Sequence, residues 1–588
     1  MTYWYIETRE EHNMIRVTDI KLGFNEDSSL LKKKAAKKLG ISEKDIISFS
    51  IFKEAIDARK KSDIKFTYTL DVDTTKNEHL LKKNPSLKVS DKPYELADTG
   101  EEELKHRPVV VGSGPCGLFA ALALAVKGFK PIVVERGRCV DDRVKDIDEF
   151  FKNRVLNVES NVQFGEGGAG TFSDGKLTTG IKNERIKFVL KEMVEAGAPD
   201  EILYKSKPHI GTDILIDVVR NIRNKIISLG GKFLFETKLV DLNIENGKLE
   251  SIILADTSNN DTLGTSKETQ EVAVNNLINK FNSFKDISST HFEGDKKDSS
   301  KVKLYTDTCI IAIGHSARDT FNMLYDNKIN IIQKPFSIGM RVEHLQEWIN
   351  MAQYGKNNIN NPKLHAADYK LVHHASNGRS VYSFCMCPGG YVIASTSNEN
   401  QVVTNGMSRH ARAGANANSA ILVNVDTSDF PSEHPLAGTM LQEKYEKLAF
   451  ELGGRNYNAP MQRFGDFKDN KRTTHIGVVK PTYEPGVTMT NIREHLPKQM
   501  GDAIEEAMIA FGKKIERFDD PDAIFTGFET RSSSPIRITR TDAKESTNTN
   551  GVYPAGEGAG YAGGITSAAV DGIVVAEAII SRYKPTYI

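Results

Sequence analysis

PVVVGSGPCGLFAALALAVKGFKPIVVERG, residues 108–137, decides the fold. An apolar strand runs into a glycine-rich turn, a helix of small residues follows, and a second apolar strand ends in an acid. Gly112-Ser113-Gly114-Pro115-Cys116-Gly117 matches the spacing G-x-G-x-x-G between that strand and that helix, the context in which the pattern is a dinucleotide fingerprint. Gly112 permits the tight turn, Gly114 leaves room for a pyrophosphate to approach the backbone, and Gly117 lets helix pack on strand. The helix start offers free N–H groups and a positive dipole end to phosphates. Glu135 ends the second strand 18 residues after Gly117, where a carboxylate can accept from adenosine ribose hydroxyls, with Arg136 beside it. A ligand-free glycine turn is the plain alternative, and the acid together with both strands weighs against it.

The fingerprint serves NAD and FAD alike, and the choice between them rests on Gly551–Gly572, GVYPAGEGAGYAGGITSAAVDG. In FAD-binding folds of the glutathione-reductase type the chain returns through a strand ending in Gly-Asp or Gly-Glu. Gly556-Glu557 occupies that place, so Glu557 is expected on the ribitol or pyrophosphate side of a flavin. Gly564, Ile565 and Thr566 open a helix aimed at the flavin N1–C2 carbonyl, where its dipole stabilises negative charge. A third segment, Thr308–Asp319, has the strand-then-glycine form that this fold uses beside its cofactor, with Gly314 at the turn and His315 reaching flavin, substrate or merely a structural partner. Only one strong fingerprint is present and FAD takes it, so NAD(P)H is expected only as a transient electron donor without a domain of its own.

Three further stretches carry candidate chemistry. Residues 163–180, QFGEGGAGTFSDGKLTTG, read as a loop lying against the flavin: Gly168 near the cofactor, Ser173, Asp174 and Lys176 near the ring, where a lysine can stabilise negative charge. Cys385 and Cys387 are spaced i, i+2, which in an extended strand puts both sulfurs on one face. They are a reducible disulfide, a thiolate pair passing electrons to flavin, a metal site completed by His373 and His374, or ordinary buried cysteines, the commonest fate of the residue. Arg341, Glu343, His344, Asn405, Ser408 and Arg409 are candidates for a substrate cavity between domains.

At 588 residues the chain holds several domains. Residues 1–98 alternate like a small ferredoxin-like α+β module, closed by a polar linker around 74–104. The FAD-binding domain runs over 105–325 and returns at 521–588, and residues 326–520 form an α+β substrate or cap domain. Residues 256–302 are polar and without periodicity, and read as a largely disordered insertion. Lys+Arg and Asp+Glu both number 78, and 20 of each fall in the first 105 residues. A basic nucleic-acid arm is therefore absent from that part. Five cysteines are too few for a disulfide framework. The start lacks a secretory signal and no apolar run reaches the roughly 18 residues that span a bilayer, so no membrane insertion and a cytoplasmic setting are expected.

Taken together the motifs resemble the FAD-dependent dehydrogenases of bacteria, a group distantly akin to larger flavoproteins with two dinucleotide-binding domains. The likeness runs over IDARKK (56–61), GSGPCGLFAAL (112–122), QFGEGGAGTFSDGKLTTG (163–180), IGHSARDTF (313–321), GMRVEHLQ (339–346), FCMCPGGYV (384–392), TNGMSRHAR (404–412), NANSAILVNV (416–425) and PAGEGAGYAGGI (554–565). It implies bound FAD and a redox role, and does not name the substrate. The expected fold is a three-layer ββα Rossmann-type domain built from separated segments, and the expected reaction hydride transfer at flavin N5 with a small-molecule substrate. Two rivals are an RNA-modifying flavoprotein whose N-terminal module grips tRNA and a non-catalytic flavin sensor or scaffold.

Overall fold

Val109–Val111 is the middle strand of a five-stranded parallel sheet in the computed structural model, which describes residues 14–258, 267–282, 291–295, 298, 300–359 and 361–585. The strand order is Val552–Pro554, Cys309–Ile311, Val109–Val111, Ile132–Val134, Lys232–Leu234. Strands so short pair in parallel only if both faces are covered, and the alternation of their side chains shows how. Val110, Val133, Ile310 and Tyr553 join a cluster with the helices Pro115–Val126, Thr212–Ser228 and Ile565–Ile580. Val109, Val111, Ile132, Val134, Cys309 and Ile311 join a second cluster with Leu239, Leu242, Ile252 and Leu304. These last belong to a four-stranded antiparallel sheet ordered Phe292–Gly294, Lys301–Tyr305, Lys248–Asp256, Thr237–Glu245. Sheet, sheet and helices make three layers.

The helix Pro115–Val126 begins at Gly114 with proline in its first turn, a position where the missing N–H costs nothing. Cys116 to Ala125 are all buried, and their small side chains let the last long helix, Ile565–Ile580, approach closely. A Cβ on Gly572 of that helix would lie 2.1 Å from the Cys116 carbonyl oxygen. This contact brings chain segments more than 400 residues apart to one edge of the sheet.

Residues 256–302 are not wholly without order. Within them Lys267–Asn282 forms a helix whose Leu277 and Phe281 are fully buried, and Phe281 stacks on Phe292 with ring centroids 4.6 Å apart. Two apolar side chains one turn apart suffice to fix the helix, although the surrounding composition is polar. Residues 259–266 and 283–290 of that stretch lie outside the described residues.

The second large unit is a seven-stranded sheet ordered Val372–His374, Ser380–Cys387, Asn416–Val425, Phe336–Leu345, Ile524–Glu529, Ala459–Arg463, Val487–Met489, antiparallel except at the last pair. Its core takes in Phe511 and Phe518 with the helices Ala437–Gly453 and Lys498–Gly512. Ile524–Glu529 pairs inside this sheet, beside Phe336–Leu345, so the return to the first domain starts after residue 529 and not at 521. The two units are joined by a buried charge cluster. Glu446 accepts from Arg318 (Nη1 2.8 Å, Nη2 2.7 Å), from Arg531 (Nε 3.0 Å, Nη2 2.8 Å) and from Thr530.

The N-terminal module is an antiparallel sheet ordered Ile46–Asp57, Lys65–Thr74, Ile15–Gly23, Lys88–Val89, crossed by the helices Leu30–Leu39 and Asn77–Lys83. The stretch read as a linker from residue 74 therefore supplies its second helix and fourth strand. The module docks through backbone: Glu54 N–H donates to Tyr204 O, and Ser206 N–H to Glu54 O, both at 2.8 Å. Among the described residues no helix is long and apolar enough to cross a membrane.

Candidate functional site

The two glycine turns meet at one cavity of about 510 Å³, walled on one side by the parallel sheet's carboxyl edge and on the other by the seven-stranded sheet. Some glycines there are required by packing. Gly112 has φ +99°, and a Cβ on it would meet the Ala312 carbonyl oxygen at 2.4 Å; one on Gly117 would meet the Gly112 oxygen at 1.8 Å. A Cβ on Gly556 would sit 2.8 Å from Cys116 Cβ, which puts the fingerprint and the returning strand in direct contact. Others leave space. Gly114 has no atom within 3.8 Å of its Cβ position, and Gly563 and Gly564 have none within 4 Å.

Of the residues singled out in sequence, Gly112, Gly114, Pro115, Cys116, Glu135, Arg136, Gly168, Gly314, Glu557, Gly564 and Ile565 line this cavity, as do Lys176, His315 and Cys385. Ser113, Gly117, Gly556, Thr566 and Cys387 lie behind its wall. Gly556 N–H donates to Asp571 Oδ2 at 2.7 Å, and Thr566 Oγ1 to Leu177 O at 2.8 Å. Both bonds anchor the turns.

Glu135 does more than end a strand. Its Oε2 accepts from Ser113 N–H (2.9 Å) and Ser113 Oγ (2.7 Å), and its Oε1 from Gly137 N–H and Gly165 N–H, both at 3.0 Å. A carboxylate has about four acceptor positions, and protein donors fill them all. In this arrangement the acid fastens the fingerprint turn to the 163–170 loop and has no free position for a ribose hydroxyl. Arg136 beside it is fixed between Glu159 (Nε 2.6 Å) and Asp319 (Nη1 and Nη2 both 2.9 Å), with its guanidinium 4.0 Å over the Phe164 ring.

The 163–170 loop is held by a residue that the sequence reading missed. Arg143, fully buried, donates to five carbonyls: Asn161 (2.8 Å), Val162 (2.9 Å), Gly165 (3.2 Å), Glu166 (2.6 Å) and Gly168 (3.0 Å). Burial pulls its pKa down to about 10, against the pull of Glu135 and Glu166. The signal was in the helix Val140–Asn153, where Val140, Arg143, Ile147 and Phe150 share the buried face. An arginine on an apolar stripe needs acceptors there.

At the far end Asp174, 1% exposed, is paired with Arg412 through Nε–Oδ1 at 3.0 Å and Nη2–Oδ2. Burial raises its pKa, but Arg412 and then Lys176 outweigh that and hold it below the usual carboxylate range. Lys176 is half-buried on the wall and, among the described residues, has no hydrogen bond or ion pair of its own. His315 Nδ1 lies 3.5 Å from Glu557 Oε1, while its buried Nε2 has no partner. Arg341 is buried behind the wall and grips three residues that line it: Nη1 donates to Cys385 O (2.7 Å), Nη2 to Asn405 Oδ1 (2.9 Å), and Nε lies 2.7 Å from Glu529.

Several expected cavity residues are elsewhere. Glu343 accepts from Asn416 (2.9 Å) and Thr482 (2.6 Å) within the core, and His344 Nε2 lies 2.7 Å from the Phe518 carbonyl. Ser408 donates to Pro388 O, and Arg409 is exposed outside the cavity wall. His373 faces Glu506 and His374 faces Ser380, so neither completes a metal site with the cysteines. Among the described residues no group of three possible metal ligands occurs. Cys385 and Cys387 do not share a face in the regular way. Pairing slips between Phe384↔Ala420 and Cys387↔Asn418, and this bulge places only Cys385 on the cavity wall.

These residues fit a flavin dinucleotide. Two helix N-termini, at Gly114 and Gly564, open onto one cavity where no side chain obstructs a phosphate, and His315 Nε2 is a buried polar atom left for a ligand.

Residues 335–532 match a family described as "FAD-dependent protein, C-terminal domain-like", and residues 14–73 match "Domain of unknown function (DUF8436)". An "Uncharacterized protein" of Clostridium beijerinckii is 48% identical over 573 residues, covering 97% of this chain and 99% of its own. Among solved structures, glycine oxidase from Bacillus cereus matches at TM-score 0.33 and 10% identity, over 81% of this chain and 94% of its own. Glycerol-3-phosphate dehydrogenase from Bacillus halodurans, complexed with FAD, matches at TM-score 0.30 and 11% identity, over 82% and 65%. Scores this low carry no argument about this chain.

Proposed function

We propose that this chain, which belongs to the same family as the Clostridium beijerinckii protein, binds FAD and acts as an FAD-dependent oxidoreductase on a small molecule. The observation that carries the reading is the meeting of residues 112–117 and 556–565 at one cavity. Bound there, FAD supplies a two-electron centre. Every other part belongs to the chain. Gly112 and Gly114 with the first turn of Pro115–Val126 take the pyrophosphate, as the open Cβ position of Gly114 allows. Glu557 and His315 stand next to that turn, and Ile565–Ile580 directs its N-terminus into the cavity. Lys176, which among the described residues makes no ion pair, supplies the positive charge that favours a reduced, anionic ring. Asp174, Asp368 and Glu529 on the same wall are each paired with a cation, Arg412, Lys207 and Arg341 in turn, so they do not cancel Lys176. The seven-stranded sheet closes the opposite side of the cavity.

NAD(P)H then serves as a transient donor or not at all, and the test separates the cases. Purified protein is loaded with FAD and titrated without oxygen against NADH, NADPH and a metabolite panel, following flavin absorbance. Bleaching by at least one donor, and recovery on adding an acceptor, is the expected result. A protein that holds FAD yet is bleached by dithionite alone would overturn the enzyme reading.

A further inference from the structure

The bulge at Cys385–Cys387 has a consequence beyond the flavin site. Along Ser380–Cys387 three residue steps oppose two on Asn416–Val425, so one residue is extra, and Cys385 absorbs it with φ +42°. A non-glycine side chain in that region is strained, because its Cβ crowds the backbone. Arg341 holds the distortion by its bond to the Cys385 carbonyl, and Gly406 makes room for it, since a Cβ there would lie 2.7 Å from Arg341 Nη2. The strain has a geometric result. Cys385 lines the cavity, while Cys387, fully buried, is absent from the lining and has its Sγ 3.3 Å from the Cys385 carbonyl oxygen.

The electrostatics of the two sulfurs differ in the same sense. The Cys387 thiol, close enough to donate to the Cys385 sulfur, draws the Cys385 pKa down; burial opposes, and Arg341 and Lys176 assist. Cys387 is pushed up by the same contact, by burial and by the charge on Cys385. Of the two thiols, Cys385 on the cavity wall is thus the more acidic and Cys387 behind it the less. The remaining cysteines do not share this setting: burial pushes the Cys116 and Cys309 thiols up, and Cys139 lies outside the cavity wall. Lys207 and Lys370, both exposed, carry the cavity wall out to solvent, so a small molecule has a way in.

We propose that Cys385 and Cys387 form a thiol–disulfide exchange centre for a low-molecular-weight disulfide that enters the cavity. The Cys385 thiolate attacks one sulfur of the disulfide, forming a mixed disulfide and releasing the other half as a thiolate, which takes a proton from solvent. Cys387 then loses its proton and attacks Cys385 Sγ, forming the Cys385–Cys387 bond and releasing the second half as a thiol. One disulfide is reduced to two thiols; the two cysteines lose two electrons, Cys387 gives one proton, and solvent gives the other. This goes beyond the flavin reading and does not depend on it, because the small disulfide itself is the oxidant.

The experiment uses the full chain as purified. It is treated anaerobically with 2-hydroxyethyl disulfide, quenched in acid and alkylated with N-ethylmaleimide. Trypsin then releases residues 380–409, bounded by Arg379 and Arg409 and holding no other cysteine. The peptide is expected to be lighter by two hydrogens and unlabelled, formed roughly ten-fold faster in the native protein than in urea, as a preformed thiolate requires. Cys387→Ser should stall with one mercaptoethanol adduct on Cys385, and Cys385→Ser should leave the peptide unreacted. A wild-type peptide carrying two maleimides, a stable adduct on Cys387, or a slower reaction in native protein than in urea would overturn the proposal. The wild-type result decides even if a variant fails to fold, and FAD content, read separately by absorbance, keeps it distinct from the flavin reading.

Discussion

Arg143 and Glu135 each fill nearly all of their hydrogen-bonding capacity with protein groups around the cavity, and neither needs a ligand to do so. A buried polar group is expensive unless satisfied, so these residues fix the wall in advance of binding. His344 shows the same rule in its neutral form. Its Nε2 lies 2.7 Å from the Phe518 carbonyl, which only an N–H can satisfy, while its buried Nδ1 has no partner. Burial pulls its pKa down to about 4 from 6.5. Between those values the unfolded chain binds the proton and the folded chain does not. The stability carried by neutral His344 is therefore complete above pH 6.5 and lost as pH falls toward 4, on the order of 3 kcal/mol in all. Urea unfolding of wild type and of His344→Gln, repeated from pH 7 to pH 4, should show the wild-type curve falling toward that of the variant as the solution is acidified. A constant difference would contradict the assignment. In sequence, His344 is a candidate for a cavity between domains; nothing local tells a core histidine from a site histidine, and only the acceptor at Phe518, 174 residues on, separates them.

The helices Pro115–Val126 and Ile565–Ile580 form the element pair on which the site depends. Their crossing is close because Gly572 leaves room for the Cys116 carbonyl, and Gly556, in the turn before the second helix, packs on the Cys116 side chain. Gly572→Val adds side-chain atoms where a backbone oxygen already stands at 2.1 Å from the Cβ position. Overpacking of this kind costs about 1–3 kcal/mol or more, and the variant should melt several degrees lower in a thermal scan, with FAD affinity falling alongside. A wild-type melting point would mean the helices do not cross there. This part of the fold was legible because close backbone approach is written directly as glycine and small residues. The bulge was not, since its extra residue is defined by pairing between Phe384–Cys387 and Ala420–Asn418, and alternation alone predicts two sulfurs on one face. The helix Lys267–Asn282 was missed for the opposite reason: Leu277 and Phe281 are a weak pattern inside a polar run, and their partner Phe292 lies beyond it.

At the scale of the whole molecule the two large units share a buried charge cluster beside apolar contacts such as Ile147, Val162 and Phe172 with Ile393. Arg318 comes from the first unit, Glu446 from the second and Arg531 from the stretch that returns to the first, and Glu446 is fully buried between the two arginines. Burial raises the Glu446 pKa, but the two guanidinium groups outweigh it and keep the carboxyl ionised far below its usual range. Glu446→Gln would leave two buried cations facing an amide, a loss of about 3–5 kcal/mol. Urea denaturation should show that loss, and an unchanged midpoint would remove the cluster's role. No sequence pattern pointed to it, because charge partners separated by 128 and 85 residues have no local period. The same distance rule hid Ile524–Glu529, which pairs with Phe336–Leu345 almost two hundred residues earlier. What could be read in advance was the pair of glycine turns, since each carries its steric requirement within a few residues.

That pair is also where the account is most exposed. Apoprotein titrated with FAD, following the quenching of flavin fluorescence, should saturate at one FAD per chain. Gly114→Trp, which fills the open position of the first turn, should abolish binding while leaving the urea transition in place. Absence of binding by the wild type, or undiminished binding by the variant, would contradict the claim that residues 112–117 and 556–565 enclose one flavin.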